Sequence, residues 1–369
     1  MDDTVLKIEL NETFYIMSND TFVFELEEFY HFRIILSWLD LVIIIIGLIL
    51  NTVSAHVFSS KANFSSTNIL IASLSVSANL VLVCMLINHV FYAIVISRSY
   101  FHLVQAVMFI LPYSHPIFMT FFVSFIYLTM SISLNQFFYV RFSKGYKNFR
   151  KNTFRKEVRR SCVIMFSIYA FSILFCSPFW FRLNYTDQKG VEKTSFAKSY
   201  FFNQIYQYWI FLPLVGLIPH SVLITTNMYL ITTLNKTVQR KTALSSKRIE
   251  TSRLGLNFET QSIDFSKRSD LLKAFRLSQN IPLERLLSLI GLDQTRLERA
   301  NKTSKLIIAV GFFLVCQTPN LIIQIMESLN NDELIQINEN YLIEIARFML
   351  ILNLSFNFSF VYLVNFKKN

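Results

Sequence analysis

Apolar residues in this chain are gathered into long runs that contain almost no fixed charge. A run of about 18 or more such residues can cross the roughly 30 Å hydrocarbon core of a membrane as a helix, because its backbone amides are hydrogen-bonded within the segment. Seven runs meet this criterion, and they cover residues 34–58, 67–96, 105–140, 161–181, 205–234, 306–326 and 341–366. The pattern predicts an all-α membrane protein with a seven-transmembrane helix bundle in the lipid bilayer.

Lys and Arg are distributed unevenly among the segments that join these runs. Residues 141–160 hold nine bases and one acid, and residues 236–305 hold fifteen bases and seven acids. Residues 1–35 carry eight acids and two bases, and residues 327–340 carry four acids and no base. Since basic loops stay cytoplasmic, the amino terminus is predicted to be outside and the carboxyl terminus inside. This sorting argues against nucleic-acid binding as the reason for the net charge of +11.

The predicted organisation is simple. Its parts are an extracellular acidic segment (1–33), helices 1–5 (34–234), a long basic cytoplasmic loop (235–305), helices 6–7 (306–366) and a short cytoplasmic tail (367–369). The later part of the long loop has amphipathic spacing. It predicts either a surface for a cytosolic partner or helices that lie on the membrane.

Three Asn-x-Thr sequences, at Asn11, Asn19 and Asn184, fall in predicted extracellular segments. They predict glycosylation of a plasma-membrane protein. The same kind of acceptor pattern also occurs on the cytoplasmic side, at Asn63, Asn235 and Asn301.

The sequence has none of the usual signatures of an enzyme. It contains no phosphate-binding Gly-rich loop with a Lys, no His-Glu-x-x-His pair and no Cys-x-x-Cys. Its six His residues show no ligand spacing, and its four Cys residues all lie in apolar runs, where a thiol behaves as a small packed hydrophobe. We therefore expect no catalytic residue, no metal site, no cofactor and no disulfide in an extracellular loop.

Several amides lie at membrane depth within the runs. They are Asn51, Asn79, Asn135, Gln136, Asn227, Asn353 and Asn357. An amide in hydrocarbon needs a hydrogen-bond partner, so these side chains are expected to face the bundle interior and to bond to one another or to water. Two interpretations stay open, since such residues serve either as contacts between helices or as a network that rearranges.

Charged residues within the runs are rarer. Asp40 lies in the outer third of the first run, and Glu344 and Arg347 lie near the outer end of the seventh. Ionisable residues inside a membrane are candidates for function, which here means ligand binding. The alternative for Glu344 and Arg347 is a local ion pair, because they are three residues apart.

Five motifs occur in order on the last five runs. They are Pro112-Tyr113 and Pro116 before Tyr127-Leu128-Thr129; Phe171-Ser172-Ile173-Leu174-Phe175 with Pro178; Ile218-Pro219 before Asn227; Val315-Cys316-Gln317-Thr318-Pro319; and Asn353-Leu354-Ser355-Phe356-Asn357-Phe358. Together they resemble the invertebrate FMRFamide-type neuropeptide receptors, a branch of the rhodopsin-like seven-helix receptors. The resemblance covers most of residues 34–366 outside the long loop.

This resemblance implies a G-protein-coupled receptor in which a ligand shifts the balance between two packings of the bundle. The residues in which it implies a conformational switch are Asn51, Asn79, Asn135, Gln136, Gln317, Pro319, Asn353, Asn357 and Tyr362. The partners it implies are an extracellular ligand and a heterotrimeric G protein. However, Asn135 and Gln136 stand where the family has an acid and the Arg that contacts the G protein, which predicts weak or absent coupling.

The ligand expected from the resemblance is a peptide ending in Arg-Phe-amide, with its guanidinium on Asp40 or Glu344. A chemosensory receptor for a small molecule is the alternative within the same architecture. A transporter or channel is the alternative from another class. It would place charged residues deep in several spans, whereas the deep polar residues here are mainly Asn and Ser.

Overall fold

The computed structural model describes the helical body of the protein and the loop after the fourth helix. The described residues are 20–60, 66–91, 101–141, 154–186, 190–233, 235–236, 304, 307–323, 325–326 and 336–356. Most of the long loop and the last positions of the seventh predicted run therefore lie outside the described residues.

The first three helices are long and apolar. Helix α1 covers Asp20–Ser59. Helix α2 begins at Ser66 and ends in a π-helical turn, Leu86–Phe91. Helix α3 covers Phe101–Arg141 and continues through Pro112 and Pro116. Helix α1 begins well before the predicted span at residue 34, because four acids and Arg33 interrupt the apolar residues of its first turns.

The next segment contains the fold's two described strands. Helix α4 covers Phe154–Phe175, and a 3₁₀ turn follows at Ser177–Phe181. The change comes at Pro178, which has no N–H to continue the helical hydrogen bonds. Strands β1 (Leu183–Thr186) and β2 (Gly190–Lys193) then pair antiparallel, with Asn184 opposite Glu192. We refer to residues 183–193 as the hairpin.

The last three described helices complete the bundle. Helix α5 covers Phe201–Thr233 and is π-helical as far as Leu217, where the N–H of Ile218 bonds to the carbonyl of Pro213. Helix α6 covers Ile307–Ile323, and helix α7 covers Gln336–Ser355.

Five of these helices, α1 to α5, are long and apolar enough to cross a membrane, which confirms five of the predicted spans. Helix α6 is apolar but shorter in the described residues. Helix α7 carries Glu339, Glu344 and Arg347 within its 20 residues. The seven-span arrangement and its orientation in the membrane therefore stay predictions at this point.

The centre of the bundle is filled by aliphatic and aromatic side chains. Ile44, Leu74, Val123 and Phe125 are completely buried. Large apolar side chains on the periphery are exposed, among them Leu174 and Trp209, each with about three quarters of its surface uncovered. An apolar outer surface suits a lipid environment, where it meets hydrocarbon rather than water.

Helices α1 and α7 approach unusually closely. A Cβ built on Gly47 would lie 2.7 Å from the Cβ of Ser355 and 2.8 Å from its Cα. The Ser355 hydroxyl donates to the carbonyl of Ile43 at 3.2 Å, and the Asn51 amide donates to the carbonyl of Leu354 at 2.9 Å. Glycine at position 47 is therefore what lets the two backbones meet.

Candidate functional site

Three of the charged side chains within the bundle meet at one end of the α1–α7 contact. Nη1 of Arg347 donates to Oε2 of Glu344 at 2.6 Å, and Nε of Arg33 lies 3.4 Å from Oε1 of the same carboxylate. The Glu344 side chain is only 8% exposed. The local pair predicted as an alternative thus forms, and Arg33 joins it from α1. Sequence analysis missed Arg33 because it lies just before the first apolar run.

Asp40 is the fourth member of this group, which we call the charged cluster. It lies seven residues after Arg33 on α1, is 3% exposed, and feels the charges of Arg347 and Glu344. Within the described part of the chain, no donor is hydrogen-bonded to its Oδ1 atom. A buried carboxylate oxygen without a donor is costly, so this position favours a ligand group or a water that donates a hydrogen bond.

Aromatic side chains hold α1 and α7 together beside the charged cluster. The ring of Tyr341 lies 5.0 Å from that of Phe29 and 5.3 Å from that of Phe32. Such edge and tilted pairs add to the energy gained from burying the rings. They place Arg33 and Glu344, which lie further along their helices, opposite each other.

Polar groups of α2 and α3 extend the charged cluster across the bundle. His89, at the end of α2, lies within electrostatic reach of Arg33, Arg347 and His115. Next to it, Asn88 accepts a hydrogen bond from Ser114 of α3, and both side chains are buried. One end of the bundle therefore carries a band of polar groups from α1 and α7 to α3.

The hairpin is attached to α3 at the edge of this band. Nη1 of Arg182 donates to Nε2 of His115 at 3.2 Å, and the ring of Tyr185 lies edge-on to that of Phe109 at 5.6 Å. Since Arg has no acceptor, Nε2 of His115 must be the acceptor here. Sequence analysis did not predict the hairpin. The available signals were short alternation in β1 and Gly190, whose φ of 73° favours glycine.

These charged and polar groups lie within a recognisable receptor sequence. Residues 30–357 match the profile of the 7 transmembrane receptor (rhodopsin family). The chain belongs to this family. Rhodopsin-family proteins are G-protein-coupled receptors for extracellular ligands and are generally not enzymes. No curated protein matches the chain.

The amides that sequence analysis assigned to a switch in this receptor do not form one connected network among the described residues. Asn51 donates to the Leu354 carbonyl, and Asn79 donates to the Thr52 hydroxyl at 3.0 Å. Asn135 donates to the Thr67 hydroxyl at 3.3 Å. Each bond joins two neighbouring helices. The described bonds of these three amides go to one backbone carbonyl and two threonines, and their predicted role in a switch stays a prediction.

Two other predicted switch residues, Gln317 and Asn353, are buried and have amide atoms without a hydrogen-bond partner among the described residues. Both amide atoms of Gln317, which is 2% exposed, lack a partner among the described residues, and so does Nδ2 of Asn353. Pro319 is half-buried and lies within α6, and Gln136 is half-buried on α3. Asn357 and Tyr362 lie outside the described residues.

One of the three predicted glycosylation positions lies in the described residues, and the other two do not. Asn184 lies on β1 with an exposed side chain, so a glycan-adding enzyme could reach it there. Asn11 and Asn19 lie outside the described residues. The four cysteines are Cys84, Cys162, Cys176 and Cys316, and all are unpaired.

Proposed function

We propose that this receptor lies in the plasma membrane with its amino terminus outside and binds a cationic peptide at the charged cluster. The proposal rests on one observation. In a bundle whose described interior polar groups are mostly neutral, Arg33, Glu344 and Arg347 meet beside the middle turns of α7, and buried Asp40 lies within electrostatic reach of Glu344 and Arg347. Charges inside a membrane are costly to keep, and they are therefore candidates for a binding site.

The proposed peptide carries Arg and an aromatic residue, like the Arg-Phe-amide ligands that the family resemblance implies. Its cation would bind a carboxylate of the charged cluster, where Asp40 has an oxygen without a donor among the described residues. Its aromatic group would pack beside Phe29, Phe32 and Tyr341. The acidic residues of segments 1–35 and 327–340 would attract such a peptide and raise its association rate, more strongly at low salt.

Signalling is proposed to follow the family mechanism in a weakened form. Ligand binding at the charged cluster acts where α1 and α7 meet, and α7 also contacts α1 through Asn51 and Gly47. Coupling to a G protein is proposed to be weak or absent, because Gln136 replaces the Arg of the family motif and Asn135 replaces its acid.

A ligand screen tests this proposal. Cells that display the receptor are exposed to amidated Arg-containing peptides and to small uncharged odorants, and binding is measured. We expect binding of an Arg-containing peptide that weakens at least about tenfold in Asp40→Asn, since a buried charged hydrogen bond is worth more than about 1.4 kcal/mol. Glu192→Gln is the matched control, because Glu192 is an exposed carboxylate on the hairpin.

Two outcomes would contradict the proposal. If Asp40→Asn and Glu344→Gln reach the cell surface and bind the peptide as tightly as the unmodified receptor, the charged cluster is not the site. If uncharged odorants bind and peptides do not, the receptor is chemosensory, which is the alternative within the same family.

A further inference from the structure

The two ion pairs of Glu344 differ in quality. The pair with Arg347 is formed within α7, is 2.6 Å long and has the geometry of a hydrogen bond. The pair with Arg33 joins two helices and is 3.4 Å long. Arg33 is also the more exposed arginine, with 32% of its side chain uncovered against 18% for Arg347. The contact of Oε1 with Arg33 is therefore the longer of the two, and it comes from the more exposed arginine, although Nε itself is buried.

We infer that Arg33 occupies the place of the ligand's own guanidinium and that the ligand binds by displacing Arg33 from Glu344. This inference deepens the proposed function and rests on it. It assigns Arg33 as a residue that determines specificity, and guanidinium as the chemical group the site takes.

The exchange is favoured by charge balance. Removing a cation from Glu344 without replacement would leave a buried carboxylate that Arg347 alone must neutralise, which is costly. Replacing one guanidinium with another keeps the charge of the charged cluster unchanged. A free guanidinium can also orient one N–H directly at Oε1, whereas Arg33 approaches this oxygen through Nε, at 3.4 Å, from a fixed position on α1.

The same exchange would change the contact between helices. Arg33 lies on α1 and Glu344 on α7, so their pair is one of the contacts that join these helices. Asp40, about two turns further along α1, lies near enough to sense Arg347 and Glu344. A ligand that takes the place of Arg33 therefore acts directly on the α1–α7 contact, and the rest of the ligand need not reach the centre of the bundle.

Two small probes that differ in one group test the inference. L-arginine amide carries a guanidinium, and L-citrulline amide carries an uncharged urea of nearly the same shape. Each is added to the full chain in lipid nanodiscs, and its apparent dissociation constant is taken from the concentration dependence of the melting temperature. The unmodified receptor is compared with Arg33→Gln, with Glu344→Gln and with Arg160→Gln, which removes an exposed arginine on the first turns of α4, outside the charged cluster and the hairpin.

We expect arginine amide to bind Arg33→Gln about tenfold more tightly than the unmodified receptor. If Arg33 occupies Glu344 about nine tenths of the time, the apparent affinity of the unmodified receptor is about tenfold lower than that of the free site. Glu344→Gln should lose this binding, and Arg160→Gln should match the unmodified receptor. Citrulline amide should not distinguish Arg33→Gln from the unmodified receptor. Should Arg33→Gln fail to fold, Arg33→Lys retains the charge with a weaker fit and should show a smaller gain.

Equal binding of arginine amide to the unmodified receptor and to Arg33→Gln would overturn the inference. Failure of arginine amide to bind Arg33→Gln at all would also overturn it, since the freed carboxylate should accept a guanidinium. A peptide ligand found in the screen that binds Arg33→Gln no better than the unmodified receptor would remove this inference and leave the proposed function standing.

Discussion

Replacing Gly47 with alanine is the most direct test of the close approach of α1 and α7. The added Cβ would meet the Cβ and Cα of Ser355 at 2.7 and 2.8 Å. Rotation of the Ser355 side chain cannot relieve either clash, because neither Cβ nor Cα moves when the hydroxyl rotates about the Cα–Cβ bond. The helices must therefore move apart, which also strains the hydrogen bond from Asn51 to the Leu354 carbonyl.

The size of the effect can be worked out against a matched glycine. Overpacking of a helix interface costs about 1–3 kcal/mol, while exchanging glycine for alanine inside a helix favours folding by about 0.5–1 kcal/mol. Gly311 of α6 provides the second effect alone, because a Cβ added there meets nothing within 4 Å. The difference in unfolding free energy between Gly47→Ala and Gly311→Ala should thus equal the overpacking cost, about 1–3 kcal/mol.

A thiol-reactive dye provides the assay. Cys84, Cys176 and Cys316 are buried and unpaired, so they react when the receptor unfolds. For a chain of this size we expect Gly47→Ala to melt about 1–4 °C below Gly311→Ala at the same heating rate. Adding Ser355→Gly should recover part of the loss, since it removes the nearest side-chain atoms and leaves the backbone of α7 in place. Equal melting temperatures for the two alanine variants would refute the close approach of the helices.

Three further predictions concern topology, coupling and the contact between α4 and α5. An epitope inserted after Ser266 should be hidden on intact cells and reached only after permeabilisation; antibody binding to intact cells would reverse the orientation. The unmodified receptor should show little ligand-stimulated nucleotide exchange, and the double change Asn135→Glu and Gln136→Arg should raise it; strong exchange by the unmodified chain would contradict this. Tyr206→Phe should lower the unfolding free energy by about 1–2 kcal/mol, because the Tyr206 hydroxyl donates to the Phe175 carbonyl at 2.6 Å; an unchanged melting temperature would show that this bond contributes nothing.

What the sequence predicted well are the features that depend on neighbouring residues. The first five spans follow from the length of the uncharged runs alone, because every residue that crosses the hydrocarbon core must be able to lie in an apolar environment. The pair of Glu344 with Arg347 follows from their spacing on one helix. The membership of the rhodopsin family follows from motifs whose order along the chain is itself the signal.

What the sequence did not predict depends on contacts between distant segments. Arg33 meets Glu344 from a position 311 residues earlier, and helix periodicity cannot show which helices are neighbours. Asn51 bonds to the backbone of Leu354, and a backbone carbonyl leaves no signature in the sequence. The hairpin has four-residue strands, which are too short for their alternation to stand out beside the long apolar runs.

The attachment of the hairpin to α3 depends on contacts that can open and close. Because all four cysteines are unpaired, the contacts of Arg182 and Tyr185 with α3 are non-covalent. A covalent crosslink stays closed until a reductant breaks it, whereas contacts worth about 1 kcal/mol each open and close by thermal motion. Docking of the hairpin on α3 is therefore an equilibrium that responds to temperature and does not depend on thiol–disulfide exchange. An antibody fragment that recognises only the docked hairpin would shift that equilibrium by mass action, with the same effect in oxidising and reducing media.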